Sequence, residues 1–482
     1  LVFDDYGLSW DEDFQHHYGK VVYEYVFEDD QTMHVHNSRY HGPVFQFILY
    51  AAEKLFRITE LNEIYKLRHL LTFAFSLIGC CFFYRLLLLF RFPPFWAALG
   101  LLFLICSPRI FAHSFYNSKD ATFMYFFIIG IYTMIRFLRK PNWRNALWHA
   151  LVCALIIDVR ILGFFVPLLT GILWLLETAQ NRQYLKESWQ PMIAFGLATL
   201  LIAIAFWPTL WHAPLEEFQN AITKMSAYPW DDPVLFEGVF RVPKDLPWYY
   251  LPKWMVITTP IFILLMLILG LIPWILSIRN NLVEKCIPLL WVLLPFGLIL
   301  WKSATVYDGW RHVYFLYPAL LIVALFGAET IFVKWLKHAG AKWIPVIFLL
   351  NPMLFMVKAH PNQQVYFNQM AKTGAWKNYE MDYWGSSYRH VLETLIDSVP
   401  NGSIRIARAN QAGYYNRLML RVKDRKRLHY TDPDSADYFV SNFRFPDEHA
   451  AFARKDGLYS NPMEIIYVDG NPIVGLYKVK KH

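Results

Sequence analysis

Apolar and polar residues alternate along this chain in long blocks, not in single steps. Ten mostly apolar runs recur, at 64–90, 95–112, 121–138, 145–158, 161–177, 191–207, 254–277, 287–301, 313–333 and 343–358. A helix that crosses a bilayer needs about 20 such residues, within a range of about 17–25, so the pattern predicts about ten spans. The runs 145–158 and 161–177 are short, with only Asp158, Val159 and Arg160 between them, and these charges read as a turn that ends both helices. At 43–60, Val44, Phe45, Phe47, Ile48, Leu49, Leu55 and Phe56 are interspersed with Gln46, Glu53, Lys54 and Arg57. That pattern predicts a helix lying on the membrane surface.

Residues 208–253 are rich in Trp, Tyr and Pro, around Trp207-Pro208, Trp211, Tyr228-Pro229-Trp230 and Leu246-Pro247-Trp248-Tyr249-Tyr250. Aromatic residues favour the headgroup layer, which predicts an interfacial loop. From about residue 359 the pattern changes to that of a water-soluble unit. Ser403–Ala407, Tyr438–Val440 and Glu464–Val468 read as strands, Asp469-Gly470 as the turn of a hairpin returning through Ile473–Tyr477, and His390–Ser398 as a helix. The expected units are therefore three. Residues 1–62 form an extracytoplasmic first loop with interfacial helices. Residues 63–358 form a transmembrane module that includes the 208–253 outer loop, and residues 359–482 form an extracytoplasmic α/β domain.

Composition supports the membrane class. Of 482 residues, 56% are hydrophobic and only 17% charged, where soluble domains carry about 25% charged residues. Disorder, collagen and a disulfide scaffold are excluded. The net charge of +8 does not mark a nucleic-acid partner, because Lys and Arg are dispersed among the apolar segments. They collect in alternate loops: Arg91; Arg136, Arg139, Lys140 and Arg144; Arg182 and Lys186; Arg279 and Lys285; Lys334, Lys337 and Lys342. The opposite loops are acidic, with Asp11, Glu12, Asp13, Asp120, Glu216, Glu217, Asp231, Asp232 and Asp308. Cytoplasmic loops gather Lys and Arg, which assigns the N-terminal stretch, 208–253 and the C-terminal region to the outside. The five cysteines sit in or beside apolar runs and read as buried small hydrophobes. The chain starts at Leu1 with no signal peptide, so it is expected to follow a processed or missing segment.

Three outer clusters carry candidate chemistry. Ser9-Trp10-Asp11-Glu12-Asp13 offers a general base beside a second carboxylate, or merely an N-cap. Ser107-Pro108-Arg109 through Asn117-Ser118-Lys119-Asp120 puts charges close to hydrocarbon, where they need partners or a ligand, or are a snorkelling Lys and a capping Asp. Tyr307-Asp308-Gly309-Trp310-Arg311-His312 suits phosphate recognition, or is an interfacial Arg. His34, His36 and His41 lack a carboxylate or Cys partner at zinc spacing. No Walker A, Rossmann glycine or GxSxG element is present. Acids and bases on one face of a many-span protein suit a substrate with a phosphate and an apolar tail. A transporter of lipid-linked sugars is the main rival. Transporters commonly carry internal repeats and midplane charges, whereas this sequence shows no repeat and its charges lie at the outer ends. A non-catalytic binding member of the same fold is the other.

At these residues the sequence resembles the GT-C class of integral-membrane glycosyltransferases. It is most similar to the bacterial, glycosyltransferase family 39-like members related to protein O-mannosyltransferases and the lipid A aminoarabinose transferase. The resemblance rests on Asp5-Tyr6-Gly7-Leu8-Ser9-Trp10-Asp11-Glu12, His41-Gly42-Pro43, Ser107-Pro108-Arg109, Asn117-Ser118-Lys119-Asp120, Leu246-Pro247-Trp248-Tyr249-Tyr250 and Thr258-Thr259-Pro260. It continues through Asp308-Gly309-Trp310-Arg311-His312, His360-Pro361 to Tyr366-Phe367-Asn368, and Asp382-Tyr383-Trp384-Gly385. It implies a further span before the acidic motif, hence about eleven spans in a complete protein. It also implies inverting transfer of a sugar from a polyprenyl-phosphate donor, at the exterior or periplasmic face of a bacterial inner membrane, to a protein, lipid or glycan acceptor. Asp11 would be the catalytic base, Glu12 its neighbour in the motif, and Asp120 the acid that orients acceptor or metal. Arg109, Lys119, Arg311, His312, His41 and Asn117 would bind donor phosphate or substrate. A divalent metal shared by Asp11 and Asp120 is open as cofactor. His41-Gly42-Pro43 departs from relatives that carry Lys in that loop, and Asp13 from relatives with Pro.

Overall fold

The computed structural model describes residues 2–226, 230–280, 282–338 and 340–480. Leu1, and Tyr228 and Pro229 of the predicted aromatic loop, lie outside the described residues. The chain is mostly helical. α1 (Glu12–Glu28) and α2 (Val44–Phe56) pack on each other ahead of α3 (Leu61–Leu89). Then come α4 (Pro94–Ile105), α5 (Pro108–Tyr116), α6 (Asp120–Arg139), α7 (Trp143–Val159), α8 (Phe165–Gln180), α9 (Arg182–Phe206) and α10 (Pro214–Ser226). A hairpin of β1 (Val234–Phe236) and β2 (Val239–Arg241) precedes α11 (Tyr250–Thr258), α12 (Ile261–Ser277), α13 (Leu282–Trp301), α14 (Tyr317–Glu329) and α15 (Ile344–Lys358).

Seven described helices are long and apolar enough to cross a membrane: Leu61–Leu89, Asp120–Arg139, Ile161–Gln180, Arg182–Phe206, Leu282–Trp301, Arg311–Val333 and Ala341–Lys358. Two bent pairs, α4 with α5 at 70° and α11 with α12 at 119°, raise the number to as many as nine. The remaining predicted run, 145–158, is α7, whose 17 residues stand at the short end of the spanning range. The runs 95–112 and 254–277, expected to be continuous, are broken. Each break precedes a proline, and the residue before a proline is sterically pushed out of helical geometry. Ser107 (φ −88°, ψ 102°) and Thr259 (φ −94°, ψ 138°) are accordingly extended.

Packing puts α6 at the centre. It is buried along nearly its whole length, against α3, α7, α8 and the turn Arg311–Leu316. α12 and α14 touch backbone to backbone at Gly270 and Gly327, where a Cβ on Gly327 would lie 2.2 Å from the Met266 carbonyl oxygen. Small residues permit such close approach where apolar burial does not drive helices together.

α2 departs from the surface-helix expectation. Gln46 and Glu53, read as its solvent face, are 5% and 3% exposed. They bind the buried Arg68 of α3, at 2.7 Å and 3.3 Å. A buried guanidinium needs partners, and α2 turns its polar residues inward to supply them. The loop after α9 is not purely an interfacial strip either. Trp211 and Trp248 are exposed, but Trp207 is buried, and β1 reaches residue Tyr379 through Phe236.

After α15 the chain builds a five-stranded sheet. β3 (Ile404–Arg408) lies parallel to β4 (Leu428–Tyr430) and to β5 (Tyr438–Ser441). The hairpin of β6 (Pro462–Val468) and β7 (Asn471–Lys478) adds antiparallel to β5, in the order β4-β3-β5-β7-β6. Its turn is Asp469-Gly470, both with positive φ, as Asp-Gly favours. A helix, Tyr388–Ser398, packs on the sheet. Ile404, Ile406, Val440, Val474 and Leu476 belong to the same apolar core as the helices.

Candidate active site

α1 begins at Glu12, and Asp11 holds its N-cap position. A side chain there usually accepts a backbone N–H, but Asp11 makes no such bond among the described residues. Glu12 does the structural work instead. Its Oε2 accepts the Ser9 N–H at 2.7 Å, and its Oε1 meets His69 Nε2 at 2.9 Å. With 2% exposure and both oxygens engaged, Glu12 ties the Ser9–Asp11 turn to α3 and is turned away from solvent. That departs from the expectation of a second catalytic acid. Asp13 accepts the Tyr65 hydroxyl at 2.6 Å. Asp11 is left with 36% side-chain exposure, and its nearest cation is Arg311, whose Nη1 lies 4.0 Å from Oδ2.

Arg311 belongs to a chain of alternating charges. Its Nη1 donates to Asp120 Oδ2 at 3.0 Å and its Nη2 to Asp308 Oδ2 at 3.2 Å. Arg160 donates to the other oxygen of Asp120. Arg444, from the segment after β5, donates to the other oxygen of Asp308 at 3.0 Å and to the Tyr383 carbonyl at 2.6 Å. The series runs Arg160, Asp120, Arg311, Asp308, Arg444. It begins and ends in guanidinium groups, so three cations face two carboxylates. Arg311 also stands over the rings of Tyr307 and Trp384, at 4.9 Å and 4.7 Å. Trp230 stacks flat on Tyr307 at 4.2 Å, so the loop after α9 helps to roof the site.

Asn117 brackets the start of α6. Its Oδ1 accepts the Asp120 N–H at 2.7 Å, and its Nδ2 contacts Asp120 Oδ2 and His113 Nδ1. Both ends of its amide are thus engaged within the protein. Lys119 lies alongside, its Nζ 3.3 Å from His41 Nε2. Burial and the Arg160 guanidinium push Lys119 down to about 7. Burial, with Lys119 and Arg160, holds His41 well below the usual imidazole range, so His41 is a neutral acceptor for the lysine. The His41 loop presses on the end of α7. The Val44 N–H donates to Asp158 Oδ1 at 2.7 Å, and a Cβ on Gly42 would lie 1.8 Å from the Asp158 carbonyl oxygen.

Arg109 is 2% exposed. Its Nε donates to the Tyr366 carbonyl at 2.9 Å, and its guanidinium lies 5.1 Å and 4.9 Å from the centres of the adjoining Trp254 and Phe367 rings. Nη1 and Nη2 of Arg109, Nε of Arg160, Nε of Arg311, Nε of Arg444 and Nδ1 of His312 meet no acceptor among the described residues. Buried donors without acceptors cost free energy unless water or ligand supplies one. Such a cluster can accept an anion. Glu380, 4% exposed, likewise has both oxygens without a donor. It lines a cavity of about 20 Å³ with Asp382, Tyr383 and Arg444, enough for about one water. Burial, with Asp308 nearby, pushes its carboxyl well up.

Asp11 and Asp120 do not form a cation cradle. Both Asp120 oxygens are held by guanidinium groups, and Arg311 stands against both carboxylates. Among the described residues no three His, Cys, Asp or Glu side chains converge on a metal position. His34 lies tilted against His212, His36 stacks on Tyr18 and His41 meets Lys119, so the three histidines take different partners.

Sequence reasoning placed Asp308 in a candidate cluster without giving it a role, and passed over Arg160, Arg444 and Glu380. Arg160 had a usable signal: charge between two apolar runs at membrane depth points to a partner or a ligand. Arg444 had none, because its partner lies 136 positions away.

No protein-family model and no curated protein matches the sequence. Among solved structures, apo ArnT from Cupriavidus metallidurans matches with a TM-score of 0.51 and 13% identity, over 98% of this chain and 95% of that one. The apo oligosaccharyltransferase of Archaeoglobus fulgidus matches with a TM-score of 0.50 and 10% identity, over 91% of this chain and 66% of the other. The likeness is one of fold: this chain is a helical, GT-C-like membrane protein with a C-terminal sheet.

Proposed function

We propose that this protein is an inverting glycosyltransferase that takes a sugar from a polyprenyl-phosphate donor and passes it to a protein, lipid or glycan acceptor. One observation carries the reading. An accessible carboxylate, Asp11, stands 4.0 Å from a buried cationic series that ends in guanidinium groups at both sides. The GT-C fold supports it.

In the proposed reaction Asp11 accepts the proton of the acceptor O–H or N–H as that atom attacks the anomeric carbon. The bond from that carbon to the donor phosphate oxygen breaks, and the oxygen keeps the electron pair. The leaving lipid phosphate gains one negative charge, which fixed cations stabilise most at the transition state. Lys119, Arg160 and Arg311 are assigned that role, with Asp120 holding the two guanidinium planes. Residues 359–482 would complete the site through Arg444 and form its acceptor side, and the site would face the exterior or periplasm.

The test is transfer by purified protein from synthetic polyprenyl-phosphate sugars, with the product's anomeric configuration read by NMR. Asp11→Asn is expected to abolish transfer while still binding donor. Full transfer by this variant, or retention of configuration, overturns the assignment.

A further inference from the structure

A groove of about 450 Å³ runs between the end of α15 and the β6–β7 hairpin, away from the site described above. Its lower wall is one stripe of α15, Asn351, Leu354, Phe355 and Lys358, spaced to share a helix face. Leu354 is 59% exposed, and Met353 and Val357 beside it are also exposed. On a helix apolar enough to span a membrane, that face meets hydrocarbon. With a rise of 1.5 Å per residue, Lys358 stands about 6 Å above Leu354. The upper wall is the aqueous end of the chain: Lys372, and Tyr467 at the hairpin tip. Leu354 and Phe355 thus give the groove an apolar wall beside the Asn351–Gln369 pair, which meets at 2.9 Å, and Lys358 and Lys372 make its rim cationic where hydrocarbon gives way to headgroups. Asp469 lies on the same rim, so two lysines and one carboxylate leave one net positive charge, matching one phosphodiester.

We infer that this groove holds a glycerophospholipid of the leaflet on the site side, its phosphodiester between Lys358 and Lys372 and one acyl chain along Leu354 and Phe355. The lipid fastens the β6–β7 hairpin, and with it the sheet, to the membrane surface. The groove is walled off from Arg109 by the Tyr366–Phe367 segment, whose residues also line it, so the assignment stands apart from the catalytic proposal.

The test is native mass spectrometry of the full chain extracted in mild detergent from phosphatidylglycerol-containing membranes. Wild-type protein is expected to retain one phospholipid per chain. Lys358→Gln with Lys372→Gln is expected to lower retention about 30-fold, a factor of roughly five for each lysine near an anionic surface. Lys302→Gln, at an exposed lysine outside the groove, should retain lipid as wild type does. Excess inorganic phosphate should not displace it. Undiminished lipid in the double variant, equal loss in Lys302→Gln, or displacement by inorganic phosphate would overturn the proposal.

Discussion

Arg444 and Asp308 stand 136 positions apart in the chain and meet at 3.0 Å, with exposures of 7% and 3%. The contact joins the sheet-bearing end of the chain to the turn that carries Arg311. Removing one partner of a buried pair costs about 3–5 kcal/mol, because the other charge is left without compensation. Arg444→Ala is therefore expected to lower the melting temperature and to weaken donor binding, since Asp308 would then hold only Arg311. Arg444→Lys keeps the charge but loses the fork that also reaches the Tyr383 carbonyl, so it should recover part of both. Thermal unfolding and donor KM, measured on both variants, check this.

Asp11 and Glu12 are neighbours that should respond in opposite ways. Glu12→Gln replaces a charge held by His69 and the Ser9 N–H. It is expected to cost stability by about 1–3 kcal/mol and to reduce activity only modestly. Asp11→Asn should leave the melting temperature near wild type, because its side chain makes no capping bond, while turnover falls by about 10²–10⁴-fold as for a lost general base. Paired melting and turnover measurements separate the two roles.

In the proposed reaction Lys119 would make donor binding depend on pH. Without ligand it titrates at about 7, chiefly through burial and Arg160, so it is cationic below that pH and neutral above it. A phosphodiester keeps one charge throughout. Donor affinity is thus expected to fall as pH rises above 7, and Lys119→Arg should flatten the profile. The linkage to stability has the opposite sense. Between pH 7 and the ordinary lysine value the unfolded chain binds the extra proton, so this group's contribution to stability rises with pH across that window. Donor titrations and melting curves from pH 6 to 9 test both.

Gly42→Ala would drive a Cβ to 1.8 Å from the Asp158 carbonyl oxygen. Neither backbone can yield without moving the Val44–Asp158 bond. Overpacking of this kind costs about 1–3 kcal/mol. A lower melting temperature is expected, together with weaker donor binding as His41 shifts from Lys119. An unchanged donor KM would detach the His41 loop from the phosphate site.

Much of the helical body was legible in advance, because the bilayer acts as a solvent that demands runs of about 20 apolar residues. Four of the five strands after residue 400 and the Asp469-Gly470 hairpin were legible from local alternation and turn chemistry, whereas the three-residue β4 was too short to show a pattern. Breaks at Ser107 and Thr259 were less so, since a proline can also kink a continuous helix; how far each pair bends depends on what it packs against. Motif order placed Asp11, Asp120, Lys119 and Arg311 on one list of candidates. It could not tell that Glu12 turns inward to His69 while Asp11 turns out, since adjacent residues on a helix point in different directions and only the neighbouring helix decides which is buried.

By itself, then, the sequence determined which segments prefer hydrocarbon and which chemically able residues stand at their ends, because both follow from the local pattern of side chains. Tertiary structure alone decided who pairs with whom. Asp158 and Arg160, which read as an ordinary turn, became the backbone anchor of the His41 loop and the first cation of the series, and Arg444 became its last. The physical reason is that a charge withdrawn from water must find a partner, and that partner is chosen by proximity in the fold, for which distance along the chain carries no information.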